Sequence, residues 1–130
     1  LGLNEEVYVS ASETNFRNRS IVWMLHSLGR IYCDPTEALD LYTRQCALNV
    51  SARDLAVMGA TLADGGVNPV TREQVVRPET CHYALAAMLT AGLYETSGDW
   101  LYEIGLPGKS GVGGGIVAVA QDAVHGQLRQ

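Results

Sequence analysis

The sequence predicts an α+β fold in which helices dominate and strands are few. Helix-start signals recur, as at Asp34-Pro35-Thr36-Glu37 and Ser51-Ala52-Arg53-Asp54, where an N-cap residue precedes an acidic third helical position. A single stretch, Gly115 to about Ala120, has the apolar, β-branched character of a strand. A chain of 130 residues, 47% of them hydrophobic, is long enough for one domain with a core. We expect helices and loops over residues 12–104 and a glycine-rich loop with a strand over residues 105–128.

The first two helices are predicted from caps and apolar spacing. Ser12 or Thr14 can cap a helix that stops at Gly29. Its apolar residues recur at spacings of three and four: Ile21, Val22, Met24, Leu25 and Leu28. The next helix begins after Asp34, with proline at its first position, and runs to about Leu48.

Three further helices follow. The first starts after Ser51 and ends at Asp64-Gly65-Gly66, where glycine can take the left-handed C-cap conformation. The second runs from Arg77-Pro78-Glu79 to Gly92, and a short one from Ser97 to Ile104. Five large side chains fall on apolar faces, and the sequence shows no ligand partner for them. We therefore assign them to the core: Trp23, Met24, Met58, Met88 and Trp100.

The predicted strand lacks an obvious set of neighbours. Residues Ala123 to Leu128 can pair with it across a turn at Gln121-Asp122, but a two-stranded hairpin is marginally stable alone in water. We therefore expect an open strand edge that drives self-association, so that the protein forms a homo-oligomer.

Composition limits the partners and the compartment. The net charge of −5 and the pI near 5.0 give no basic surface, which argues against nucleic acid and anionic membranes as partners. Cys33, Cys46 and Cys81 are an odd number at wide spacing without a Cys-x-x-Cys pair, as expected of reduced thiols in the cytoplasm. No apolar stretch approaches the roughly 20 residues of a membrane span. The start at Leu1 resembles neither a signal peptide nor a Met start, and we expect a piece of a longer chain.

The segment Gly105 to Gly115 contains Gly108-Lys109-Ser110, the last three residues of a phosphate-binding loop. That motif needs a glycine five positions before the one preceding lysine, but the residue there is Glu103. The order of elements is also inverted, because the predicted strand follows the segment and a helix precedes it. Nucleotide binding is therefore not the favoured interpretation.

Five segments together resemble the serine-dependent glutaminase family, which shares the fold of serine β-lactamases and penicillin-binding proteins. The matching stretches are Arg17-Asn18-Arg19, Asp40-Leu41-Tyr42 with Gln45-Cys46, Ala60 to Thr71, Gly92-Leu93-Tyr94 with Ser97-Gly98, and Gly105 to Gly115. Their order and spacing agree with the family, with 24 residues from Asn18 to Tyr42, 52 to Tyr94 and 18 to Val112. The chain would then be a partial glutaminase domain over residues 1–130, with an incomplete serine β-lactamase-like fold.

The resemblance implies a reaction and a set of site residues. L-glutamine would be hydrolysed to L-glutamate and ammonia through a glutamyl-serine intermediate, and no metal or organic cofactor is implied. Lys109 would belong to the Lys-Ser-Gly strand beside the nucleophile, and Val112 would offer its backbone N–H to the oxyanion. Tyr94 would assist proton transfer beside the serine, while Asn18 and Tyr42 would hold the amino and carboxylate groups of glutamine.

Two departures from the family affect what this chain can do. The family has a glutamate about seven positions before the asparagine, which binds the α-amino group of the substrate; here that position is Ala11. Either Glu13 substitutes after a loop shift or this recognition is lost. The chain also contains no Ser-x-x-Lys, since Lys109 is its only lysine, and that motif supplies the family's nucleophile and base. We therefore expect the isolated chain to be inactive.

Two other functions remain open at this level. One is a penicillin-recognising serine acyl transferase or β-lactamase relative, which would use the same Lys-Ser-Gly strand on a different substrate. The other is a non-catalytic helical module that binds a partner. An upstream Ser-x-x-Lys in the parent reading frame would argue against the module.

Overall fold

The computed structural model describes residues 1–120. They divide into two compact units, the first Leu1–Val50 and the second beginning at Ser51. The strand predicted at Ala123 to Leu128 and its turn at Gln121-Asp122 lie outside the described residues.

The first unit contains three helices. These are α1 (Glu5–Thr14), α2 (Phe16–Ser27) and α3 (Pro35–Cys46). The predicted start of α3 is confirmed, because the Asp34 side chain accepts hydrogen bonds from the backbone N–H groups of Thr36 and Glu37 at 2.9 and 3.1 Å. The helix ends at Cys46, two residues before the predicted Leu48.

The predicted cap of the first helix is wrong. Ser12 and Thr14 lie inside α1, and their hydroxyls donate to the carbonyls four residues earlier, at 2.8 and 2.9 Å. Asn4 caps α1 by accepting from the Val7 N–H at 3.1 Å, and Asn15 separates α1 from α2. Serine and threonine can bond either to a helix start or back to a preceding turn, so residue type alone did not distinguish the two.

The described part of the second unit contains three α-helices and two short strands. They are α4 (Ala52–Ala63), α5 (Pro78–Ala91), α6 (Ser97–Glu103), β1 (Gly108–Ser110) and β2 (Ile116–Ala118). The predicted starts and ends hold: Ser51 and Asp54 form a reciprocal capping box, and α4 ends just before Gly65 and Gly66, which have φ of +61° and +97°.

Strand β2 has a neighbour that the residue types did not predict. Within the described part of the chain, β2 pairs with β1, upstream of it, in an antiparallel register that places Lys109 opposite Val117. Strand β1 was not predicted from its residue types, because it lies in a glycine-rich segment and glycine is uncommon in strands. The Lys-Ser-Gly strand that the family resemblance implied is nevertheless present.

Three of the five core assignments are wrong. Trp23, Met24 and Met58 are 52%, 56% and 43% exposed, whereas Trp100 and Met88 are half-buried. The buried apolar residues are mostly smaller: Val22, Ala47, Cys81, Leu85, Leu93 and Val119. Apolar periodicity marks a helix face but does not say whether a second element covers it.

Candidate functional site

The end of α5 and strand β1 approach each other through two glycines. Ser110 donates its backbone N–H to the Gly92 carbonyl at 3.0 Å, and its hydroxyl donates to the same oxygen at 3.4 Å. A Cβ atom at Gly92 would lie 1.7 Å from the carbonyl oxygen of Gly108, which no side chain can accommodate. Glycine at this position is therefore a condition for the backbone contact.

Trp100 supports β1 from another side. Its indole Nε1–H donates to the Leu106 carbonyl at 2.8 Å, and a Cβ atom at Gly108 would lie 2.7 Å from that nitrogen. The ring thus packs directly against the backbone where β1 begins. Sequence reasoning assigned Trp100 to the core and missed this role.

Tyr94 and Lys109 lie side by side. Tyr94 begins a 3-10 turn, Tyr94–Thr96, and its backbone is in the left-handed region with φ of +53°. The Lys109 Nζ lies 5.2 Å from the centroid of the Tyr94 ring and donates to the Ser110 carbonyl. Tyr94 is 63% exposed, so a phenol and an ammonium lie together at the surface of the second unit.

Val112 lies in the loop that joins the two strands. Gly111 donates its N–H to the Gly115 carbonyl at 2.8 Å, and Gly114, with φ of +89°, donates to Gly111 at 3.0 Å. This is the pattern of a three-residue hairpin loop. The Val112 residue is 96% exposed, and across residues 1–120 no group accepts a hydrogen bond from its backbone N–H. Among the described residues, that N–H therefore has no competing acceptor.

Two predicted site residues lie in the first unit, on neighbouring helices. Asn18 is half-buried on α2, and Tyr42 is 50% exposed on α3. The start of α2 is held against α3 because the Asn15 amide donates to the hydroxyl of buried Thr43 at 3.0 Å. Asn15 is three residues from Asn18, and Thr43 adjoins Tyr42, so this bond sets the relative position of the two elements that carry them.

Ala11 and Glu13 both lie in α1, with no loop between them. At 3.6 residues per turn, side chains two positions apart point about 200° apart around the helix axis. In agreement, Glu13 is exposed and Ala11 is half-buried. A carboxylate at Glu13 therefore faces away from the direction of Ala11.

A polar cluster that sequence reasoning missed joins α1 to α3. Tyr8 donates its hydroxyl to one Asp40 oxygen, and the Arg44 Nε donates to the other at 2.8 Å. The Arg44 guanidinium carbon lies 4.6 Å from the centroid of the Tyr8 ring. The hydrogen bond from Tyr8, and then that from Arg44, lowers the pKa of Asp40 below its usual value. The spacing of Asp40 and Arg44 was a visible signal; the participation of Tyr8 was not.

An apolar cleft of about 490 Å³ runs between α4 and β2. Small side chains of α4 and residues 115–120 line it. A Cβ atom at Gly59 would lie 3.0 Å from a Val117 methyl, so the helix and strand are already in close contact at that point. None of the predicted site residues lines this cleft.

Two other features are not found in residues 1–120. No helix there is both long and apolar enough to cross a bilayer. No three side chains among His, Cys, Asp and Glu in that part of the chain are grouped so that they could hold a metal ion.

Comparison with known proteins identifies the family of the chain. A family model described as Glutaminase matches residues 1–125. The chain belongs to the glutaminase family. Glutaminase 2 of Yersinia pestis is 77% identical over 120 residues, and Glutaminase 1 of Escherichia coli K12 is 55% identical over 119 residues. Each alignment covers 92% of this glutaminase chain but only 35% and 38% of the two relatives. The chain thus spans little more than a third of their length.

Solved glutaminase structures match the fold closely. A probable glutaminase from Bacillus subtilis is 37% identical, with a TM-score of 0.88, over 94% of this chain and 39% of its own. The B. subtilis glutaminase YbgJ, in a covalent complex with 5-oxo-L-norleucine, is 36% identical with a TM-score of 0.88, over 97% of this chain and 43% of its own. The predicted fold class, an incomplete α+β fold of the serine β-lactamase type, is confirmed for this glutaminase chain.

Proposed function

We propose that the full-length protein containing this chain hydrolyses L-glutamine to L-glutamate and ammonia. In the step we propose, a serine hydroxyl attacks the side-chain amide carbon and a C–O bond forms. The C–N bond then breaks, ammonia leaves with the serine proton, and water hydrolyses the glutamyl ester. The observation that carries the proposal is that Lys109 lies against Tyr94 on the strand that leads into the loop of Val112, in a member of the glutaminase family. The serine and its lysine are not among the 130 residues.

The second unit supplies groups for the acyl-transfer chemistry. A backbone N–H with no partner in residues 1–120, as at Val112, suits an oxyanion because it needs no rearrangement to donate. The ammonium of Lys109, on the strand that leads into this loop, raises the local positive potential. The adjacent Tyr94 hydroxyl can pass a proton between the nucleophile and the leaving ammonia.

The first unit supplies groups for recognition of the amino acid. Asn18 and Tyr42 carry an amide and a phenol, which can bind the amino and carboxylate groups of glutamine. Because Glu13 points away from the position of Ala11, we propose that Glu13 does not replace the family's glutamate. Recognition of the substrate ammonium would then be weaker than in relatives that keep that carboxylate.

The ligand of a structural neighbour supports glutamine as the substrate. The covalent complex of B. subtilis YbgJ with 5-oxo-L-norleucine formed by reaction with 6-diazo-5-oxo-L-norleucine. That ligand has an L-amino acid end and a carbonyl at its fifth carbon, as glutamine does. We infer the same class of substrate for the protein that contains this chain.

The test uses a full-length chimera. Its scaffold is Y. pestis glutaminase 2, with the aligned 120 residues replaced by those of this chain. We expect the chimera to release ammonia from glutamine and the isolated chain to release none. Tyr94→Phe in the chimera should lower turnover on the order of 10²-fold, the lower end for general acid–base catalysis. A folded chimera that labels with a fluorescent penicillin and releases no ammonia would contradict the proposal and favour the acyl-transferase alternative.

A cytoplasmic location and homo-oligomeric assembly are also proposed. The location rests on the three cysteines, which are free. Assembly rests on exposed apolar side chains, such as Tyr102, which is 93% exposed, and Leu101, which is 46% exposed. Sedimentation of the chimera should show a species larger than a monomer, and a monomer at high concentration would contradict the proposed assembly.

A further inference from the structure

The backbone of Tyr94 is held in an unfavourable conformation. Its φ of +53° places a bulky aromatic residue in the left-handed region, which residues other than glycine rarely adopt. Such a conformation persists only where surrounding contacts determine it. The neighbouring contacts therefore identify what keeps Tyr94 in place.

A single buried hydroxyl bridges the two sides of Tyr94. The Ser97 Oγ accepts a hydrogen bond from the Leu93 N–H at 2.9 Å and donates to the Tyr94 carbonyl at 2.8 Å. Ser97 is 6% exposed, so water does not readily replace either bond. Because the two bonded groups lie on opposite sides of the Tyr94 Cα, one oxygen constrains the backbone rotation that sets the direction of the ring.

The same segment is tied to the strand that carries Lys109. The residue before Leu93 is Gly92, whose carbonyl accepts from the Ser110 N–H at 3.0 Å. The Tyr94 ring and the Lys109 Nζ, 5.2 Å apart, are thus positioned by two sets of bonds, one from the strand and one from Ser97. The strand contact sets the position of the amine, and the Ser97 bridge sets that of the phenol.

We propose that Ser97 is a positioning residue for Tyr94, whose hydroxyl holds the Tyr94 backbone in the left-handed conformation that keeps the phenol beside Lys109. This inference rests on the proposed function, in which the Tyr94 hydroxyl moves a proton. Ser97 does not touch the substrate, and it acts on turnover through Tyr94.

A double-mutant cycle in the chimera tests the inference. Ser97→Ala removes both bonds and should lower kcat at least about tenfold with KM nearly unchanged, because small misplacements of a catalytic group cost up to about 10²-fold. In the Tyr94→Phe background the same change should have little further effect, because the hydroxyl that Ser97 positions is already gone. An equal fall in kcat in both backgrounds would overturn the inference and leave Ser97 a merely structural residue.

Thr61→Val is the matched control. Thr61 is also 6% exposed, lies in the same unit and donates its hydroxyl to the Val57 carbonyl at 2.7 Å. Removing the Thr61 hydroxyl should destabilise the second unit but should not lower kcat selectively. If Thr61→Val lowers kcat as much as Ser97→Ala does, the result would count against the inference. Ser97→Thr keeps the hydroxyl and should restore turnover in the fraction that is folded. Normal turnover of Tyr94→Phe alone would contradict the role proposed for Tyr94. That outcome differs from an equal effect of Ser97→Ala in both backgrounds, which would contradict only the role proposed for Ser97.

Discussion

The two units hold their elements together by different means. In the unit Leu1–Val50, side chains join the helices: Tyr8, Asp40 and Arg44 link α1 to α3, and Asn15 bonds to Thr43. In the second unit, backbone groups make the decisive contacts, at Gly92 against β1 and in the loop around Val112. The groups proposed for chemistry follow the same division. The first unit offers an amide and a phenol, and the second offers the backbone N–H of Val112, the phenol of Tyr94 and the ammonium of Lys109.

The difference teaches what kind of substitution each unit should tolerate. A unit joined by side chains is sensitive to the loss of a functional group and can accept small changes of backbone. A unit joined by backbone approach is sensitive to the addition of a single methyl group where two main chains meet. Four substitutions test this contrast, in order of decreasing expected effect.

The largest effect is expected at Val112 in the chimera. Val112→Pro deletes the N–H donor and should lower kcat on the order of 10²–10³-fold, the usual scale for one oxyanion-hole donor. Val112→Ala keeps the N–H and should retain most activity. Proline is favoured at the second position of a turn, which Val112 occupies, so the loop itself can accept it. Equal activities of the two variants, at similar thermal stability, would show that the backbone of this loop has no part in turnover.

Gly92→Ala should strongly destabilise the second unit. The new Cβ would lie 1.7 Å from the Gly108 carbonyl oxygen, so β1 must move and the unfolding free energy should fall by about 3 kcal/mol. Gly98→Ala is the matched control, because nothing lies within 4 Å of its Cβ position, and it should be neutral or slightly stabilising. Denaturant unfolding of the isolated chain measures both variants. Similar midpoints for the two would refute the idea that β1 depends on this backbone approach.

Ala11→Glu in the chimera tests side-chain recognition in the first unit. Restoring the family's carboxylate should lower KM for glutamine by about 30-fold, which corresponds to the 2 kcal/mol lower end for a buried charge pair. Glu13→Gln should leave KM unchanged, because Glu13 is exposed and points away from Ala11. A rise in KM for Glu13→Gln would instead mean that Glu13 already binds the substrate ammonium.

The smallest effect is expected for Asp40→Asn and depends on pH. The pKa of Asp40 is lowered below its usual 3.8 by bonds from Tyr8 and Arg44, so its stabilising contribution is present above that value. It is lost as pH falls through the lowered pKa. Asp40→Asn should flatten this acid dependence for the amides of residues 1–50 while leaving those of α4 unchanged.

Asp54→Asn is the companion variant, since hydrogen bonds from Ser51 lower the pKa of Asp54 in the capping box of α4. Amide hydrogen exchange, measured for each residue as a function of pH, reports the acid dependence of stability separately for the two units. If Asp40→Asn leaves the acid dependence of the first unit as steep as before, the cluster with Tyr8 contributes nothing measurable.

Sequence alone determined the features that depend on neighbours within one turn. The caps at Asp34 and Ser51, the glycine stop after α4 and the proline start of α5 were predicted because each is a local choice of backbone conformation. The order and spacing of Asn18, Tyr42, Tyr94 and Val112 identified the family from the printed residues, and the family model confirms that identification.

Only the tertiary structure decided which segments of the chain pack against each other. The exposure of Trp23 and Met24 and the approach of Gly92 to Gly108 depend on which segments meet in the folded chain. The pairing of β1 with β2 is local, but glycines around β1 concealed it from a reading of residue types. The left-handed backbone of Tyr94, with Ser97 bonded to both of its sides, likewise has no signature in residue types, since serine is ordinary at a helix start. Periodicity reports which side of a helix is apolar, whereas packing also requires knowing which element covers that side, and this is settled only when the chain folds.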